Sequence, residues 1–91
     1  MEYTYTAIAV DDLTATDLRE EAATTRRMGM VIQAYRIDIA GSAERAEALE
    51  IGKAGRYGIS WGADATWGDA SSVNEAIELW ANDPDEWLAR S

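Results

Sequence analysis

Apolar and polar residues change rhythm several times along this chain, and each change marks a candidate element. From Tyr3 to Val10 the residues are β-branched, aromatic or alanine, with Thr4, Thr6, Ile8 and Val10 on one side and Tyr3, Tyr5, Ala7 and Ala9 on the other. That composition predicts a strand, with Ile8 and Val10 turned inward and the tyrosines on an open face. Asp11-Asp12 ends it, and Thr14 or Thr16 caps a helix whose inward stripe is Leu18, Ala22, Thr25 and Met28; Gly29 stops that helix. Met30 to Ile39 then alternates, with Val31, Tyr35, Ile37 and Ile39 set against Ala34, Arg36 and Asp38, so a second strand with one buried and one wet face is expected. Ser42 opens a short helix with Ala43, Ala46 and Leu49 inward, and Gly52, Gly55 and Gly58 follow as a helix stop and a bend. Tyr57, Ile59 and Trp61 alternate as a third strand, after which Gly62-Ala63-Asp64 turns the chain.

The last third is the most strongly patterned. Val73, Ala76, Ile77 and Trp80 stand at i, i+3, i+4 and i+7, one face of a helix that Ser71-Ser72 caps. Glu75 and Glu78 point away from that face, one turn apart. Asp83-Pro84-Asp85-Glu86 then starts another helix, with Asp83 as cap, Pro84 at the first position and Glu86 reaching back to the cap. Trp87 and Leu88 tether its last turn. These elements in order predict an α+β domain spanning residues 1–91, a two-layer β-α-β-α-β-α arrangement. Its three-stranded sheet is mixed or antiparallel and carries helices on one face. A parallel βαβ unit, an α/β arrangement with the first helix as crossover, is the alternative.

Charge sharpens the picture. The chain has 91 residues and a net charge of −9. Residues 1–56 hold ten acids and seven basic residues, whereas residues 57–91 hold seven acids and Arg90 alone. An apolar fraction of 47%, with four Trp and four Tyr, sets it apart from a disordered acidic tail. Such a field repels nucleic acid and membranes and attracts basic proteins; acidity that merely solubilises is the plainer alternative.

Composition also removes chemistry. With no Cys and no His there is no disulfide framework, no Cys/His metal site, no Cys nucleophile and no His base. Asp64 to Glu75 has the length of a calcium loop, but Thr66, Gly68 and Asp69 stand where ligands and the glycine belong. Gly52-Lys53-Ala54-Gly55-Arg56-Tyr57-Gly58 lacks the order and the ending of a phosphate loop. The carboxylate pairs Asp11-Asp12 and Asp83-Asp85 sit in expected exposed turns, away from the dry pocket that acid/base catalysis requires. The expectation is therefore a non-enzyme with no cofactor and no metal. The start Met1-Glu2-Tyr3-Thr4 lacks the basic and apolar regions of a signal peptide, and the apolar runs are short, which predicts a cytoplasmic protein.

The candidate partner-binding residues are Asp64, Trp67, Asp69, Glu75, Glu78, Asp83, Asp85 and Glu86, with Trp67 as an exposed aromatic anchor in a turn, core packing of its ring being the equal alternative. Trp61, Trp80 and Trp87 read as structural. At Glu75, Glu78, Asp83, Asp85 and Glu86 the pattern resembles the acidic faces of small phage-encoded nucleic-acid mimics, the anti-CRISPR proteins among them. The resemblance is one of size, composition and charge layout over roughly the last third of the chain, without a shared motif. It implies an inhibitor that occupies a basic nucleic-acid channel of a CRISPR effector complex in a host cytoplasm, its carboxylates replacing phosphates. The partner would be a basic protein or nucleoprotein complex, with no direct contact to nucleic acid or membrane, and the inhibitor a monomer or small homo-oligomer. Two alternatives are an immunity protein or antitoxin against a basic toxin, and a small structural protein that oligomerises through Tyr3 and Tyr5 or a sheet edge. Charge reversal at Glu44 and Glu47, on the expected mixed-charge second helix, would serve as a control for reversal on the acidic face.

Overall fold

The structure, a computed structural model, describes residues 4–42, 45–52, 55–61 and 64–91. Strand β1 (Tyr5–Val10) leads into helix α1 (Thr16–Arg27), and strands β2 (Ile32–Ile39), β3 (Arg45–Ile51), β4 (Arg56–Ser60) and β5 (Thr66–Asp69) follow. Helices α2 (Val73–Asn82) and α3 (Pro84–Ala89) close the chain. The strands form one five-stranded sheet in sequential order, and every neighbouring pair is antiparallel.

This overturns the expected three-stranded sheet and β-α-β-α-β-α order, and equally the parallel βαβ alternative. The physical cause lies in two segments. Ala46-Glu47-Ala48-Leu49-Glu50-Ile51 is built from strong helix formers, yet it is the central strand, paired with β2 and β4. Buried on both faces, it lacks strand alternation. Its alanines fit beside large neighbours, Ala48 lying between Tyr35 and Ile59 and Ala46 beside Ile37. Position in the sheet outweighs propensity there. Thr66 to Asp69 reads as a turn because it is four residues long and contains Gly and Asp, but it pairs with β4 from Thr66↔Ile59 to Asp69↔Arg56.

Helices cover both faces of the sheet, a second correction. Ile37, Ile39, Ala46, Ala48, Tyr57 and Ile59 pack with Ala76, Ile77 and Trp87 of α2 and α3. Ala34, Leu49 and Ile51, on the other face by strand alternation, pack with Leu13, Leu18 and Ala22 at α1. Tyr5 and Ala7 accordingly lie against the α2 side and not on an open face, while Val10 packs on the α1-face cluster as expected and Ile8 is 38% exposed. Tyr3 lies outside the described residues, as do Ala43, Glu44, Lys53, Ala54, Gly62 and Ala63. Leu18, Ala22 and Thr25 form the buried stripe of α1 as expected, but Met28 is exposed.

Glu47 also changes role. From β3 its Oε1 accepts from the Ala15 amide at 2.6 Å and from the Thr14 amide and hydroxyl at 3.0 Å each. Helix α1 has no side-chain cap of its own at Ala15, so this distant carboxylate anchors the helix entry and complements the positive end of its dipole. Glu47 is thus a structural residue rather than an inert control. Glu47→Ala is expected to cost about 1–2 kcal/mol, the range of a lost cap and unpaired amides. Urea unfolding monitored by circular dichroism checks it, and an unchanged midpoint would contradict the anchoring role.

The candidate partner-binding face

Ser72 opens α2 by accepting from the Glu75 amide at 3.1 Å, and Glu75 Oε1 accepts in turn from the Ser71 amide at 2.9 Å. Ser72 thus satisfies one orphan amide of the helix start, and the Glu75 carboxylate reaches back to the amide of the residue before the cap. Pro84 begins α3 as expected, although Asp83 makes no side-chain cap bond and Glu86 turns to Arg90 instead of the cap.

Two arginines that flank the acidic span in sequence fold back onto it. Arg90 Nη1 donates to Glu75 Oε1 at 3.1 Å, and its Nε donates to Glu86 Oε1 at 3.1 Å. Its backbone oxygen accepts from the Asp69 amide at 3.3 Å, and Nη1 reaches the Asp69 carbonyl at the same distance. Arg56, opposite Asp69 in the β4–β5 ladder, approaches that carboxylate to 3.4 Å. The face is therefore not uniformly acidic. Asp69, Glu75 and Glu86 are engaged by arginine, whereas Glu78, Asp83 and Asp85 are exposed and make no ion pair among the described residues. Asp64 is exposed at the approach to β5.

The Glu75 carboxyl is held below the ordinary glutamate range, first by the Ser71 amide; burial opposes this, and the Ser71 side chain and Arg90 add smaller lowering effects. A carboxyl lowered by folding stabilises the fold above its unfolded pKa, and that contribution disappears as pH falls through the folded value. Glu75→Gln is accordingly expected to make the loss of melting temperature on acidification less steep, while leaving the neutral and alkaline limbs parallel to wild type. Melting curves collected from neutral to acidic pH check this.

Trp87 is docked as expected, but the other tryptophans are less settled. Trp67 is half-buried instead of projecting as an anchor: it packs beside the α1-face cluster, and Arg56 lies 5.9 Å from its ring centre. The ring sits over Gly58, where a Cβ would come within 2.6 Å of it. Trp87 is the fully docked one, 2% exposed, its Nε1 donating to Thr66 Oγ1 at 2.9 Å. Trp80 is only half-buried, meeting Trp61 edge-on at 5.7 Å between ring centres, and Trp61 is 38% exposed. Leu88 is exposed and tethers nothing.

Tyr5 donates its hydroxyl to the Asn74 carbonyl at 2.9 Å, and burial, followed by the nearby Glu78 charge, raises its pKa. Glu75 and Glu78 thus serve different neighbours, the first at the β5 end and the second beside β1. Asp11 and Asp12 are exposed at the rim of a hollow shared with Arg19 and Arg26. The twelve-residue span from Asp64 to Glu75 is interrupted by β5 and does not form one loop. Among the described residues, no helix is long and apolar enough to cross a membrane.

The role of Arg90 escaped the sequence reading. Its i, i+4 spacing from Glu86 was visible, but the Glu75 contact depends on α3 folding back along β5. No family model, curated protein or solved structure matches the chain, so the face stands on its own geometry.

Proposed function

We propose that this is a non-catalytic binding protein of the cytoplasm that inhibits a basic partner by occupying its nucleic-acid-binding surface, as in a CRISPR effector complex. The observation that supports this reading is the trio Glu78, Asp83 and Asp85. These carboxylates stay exposed, while Arg56 and Arg90 engage Asp69, Glu75 and Glu86. They lie on the second half of α2 and at the start of α3, elements held from behind by Ala76, Ile77 and Trp87. Carboxylates on a packed support meet Arg and Lys with little ordering cost, and arginine binds them in a bidentate fork. The field of a chain at −9 adds steering toward a basic channel.

Competition is the test. Added to a CRISPR effector complex loaded with labelled target DNA, the protein is expected to release the label in proportion to its own amount and to reach saturation at stoichiometric ratio. Complete inhibition by a trace amount, with a chemically altered effector recovered, would identify an enzyme instead. An immunity protein or antitoxin would use the same face against a basic toxin, and would leave the effector's DNA in place.

A further inference from the structure

The two edges of the sheet are treated differently. On β5 the outward amide and carbonyl of Asp69 are both taken by Arg90, and the strand is four residues long with a charged side chain. These are ordinary devices for closing an edge. Strand β1 has none of them. Its six residues, Tyr-Thr-Ala-Ile-Ala-Val, hold no charge and no proline, and its register with β2 runs from Tyr5↔Ile39 to Val10↔Ala34 without a bulge.

The direction of its free backbone groups follows from one bond. Thr4 accepts from the Ala40 amide at 2.9 Å, so in steps of two Thr6, Ile8 and Val10 turn their backbone groups toward β2. Tyr5, Ala7 and Ala9 therefore direct N–H and C=O outward, and no described segment pairs with them.

We propose that the outer edge of β1 is a homodimer interface, in which two copies join β1 to β1 antiparallel about Ala7 and continue one sheet through both. This does not rest on the acidic-face reading. A second copy is the occupant for three reasons. Pairing about Ala7 sets Ala7 opposite Ala7 and Tyr5 opposite Ala9, so the same three residues satisfy each other on both sides, as a two-fold interface requires. A chain with a net charge of −9 repels itself over most of its surface, and β1 brings copies together along an uncharged strand. The side chains also fit. Each Tyr5 ring faces the small, exposed Ala9, and Ile8, 38% exposed on the other face, gains cover beside Thr6 and Ile8 of the second copy.

Sedimentation velocity of the full chain from low to high micromolar concentration tests this. Wild type is expected to shift from monomer to dimer, and to keep or strengthen the dimer as salt screens the like-charged bodies. Ala7→Pro removes an outward N–H without touching the ladder to β2. Ala9→Glu, at an exposed position, places a carboxylate beside Tyr5 and Glu78 of the second copy. Each is expected to weaken dimerisation about tenfold or more, with Ala9→Glu retaining the wild-type melting curve at low concentration.

Register has its own readout, because the chain lacks cysteine. Under oxidation Ala7→Cys is expected to give a covalent dimer, since paired residues lie about 5.5 Å apart, within disulfide reach. Ala9→Cys, displaced along the strand from its counterpart, is expected to remain uncrosslinked. The proposal is overturned if wild type stays monomeric at the highest concentration, if both edge variants dimerise as tightly as wild type, or if only Ala9→Cys crosslinks.

Discussion

Trp87→Ala is expected to destabilise the protein by about 3–5 kcal/mol, the range for removing a buried tryptophan. The side chain is the largest among the fully buried ones and fills the space between α3 and β5. Gly68 is part of its seat, because a Cβ there would lie 2.8 Å from the ring. Truncation leaves a cavity and also strips Thr66 Oγ1 of its indole donor. Helix α3 has six residues, too few to hold on its own, and Trp87 is its buried residue. Losing that contact frees Arg90 from Asp69, Glu75 and Glu86 together. A domain of this size has about 5–15 kcal/mol of stability in all, so the variant is expected to unfold at a much lower urea concentration. Trp80→Ala is expected to cost less, since that ring is half-buried and its edge contact with Trp61 adds only about 1 kcal/mol. Equal midpoints for Trp87→Ala and wild type would mean that α3 is not docked on β5.

The second large effect is on binding. Changing Glu78, Asp83 and Asp85 together to lysine is expected to leave stability within about ±0.5 kcal/mol at Glu78 and Asp83. Asp85, in the first turn of α3, costs a further 0.3–1 kcal/mol or so through the helix dipole. Affinity for a basic partner is expected to fall far more. Each close charge pair lost across an interface costs about 1.5 kcal/mol or more, and reversal adds repulsion. Glu75 is left unchanged because its loss would disturb Ser71 and Arg90 as well as the surface. Asp11, Glu20 and Glu21, exposed on the β1–α1 connection and on α1, make the matching control. Reversing them shifts net charge equally while leaving α2 and α3 untouched. Equal loss of binding in both triple variants would mean that net charge matters and its position does not.

The sequence made the helices legible. The stripe of α1, the Ser72 cap of α2 and Pro84 at the start of α3 all follow local rules that tertiary context left intact. Strands β1, β2 and β4 were also visible, because β-branched and aromatic residues dominate them. Strand β3 was hidden because a central strand between covered faces needs small residues beside large ones, and Ala-Glu-Ala-Leu meets that need while reading as a helix. Strand β5 was hidden because Gly68 serves the Trp87 ring and not a turn. The alternation of β2 pointed to one wet face, yet Ala34 on that face is buried against Leu18 and Ala22 of α1. The acids of the site were legible as composition. Their division into paired and free groups was not, since it depends on Arg90 and Arg56 meeting residues that are distant in sequence or on another strand.

The measurement that tests the proposed role most directly is the salt dependence of DNA displacement from the effector complex by wild type and by the Glu78, Asp83 and Asp85 triple variant. For wild type, stoichiometric displacement at low salt is expected to weaken steeply as salt rises, and the variant is expected to displace nothing at any salt. Displacement by the variant equal to that by wild type, with the same salt slope, would contradict the account and leave the acidic face as a solvated surface.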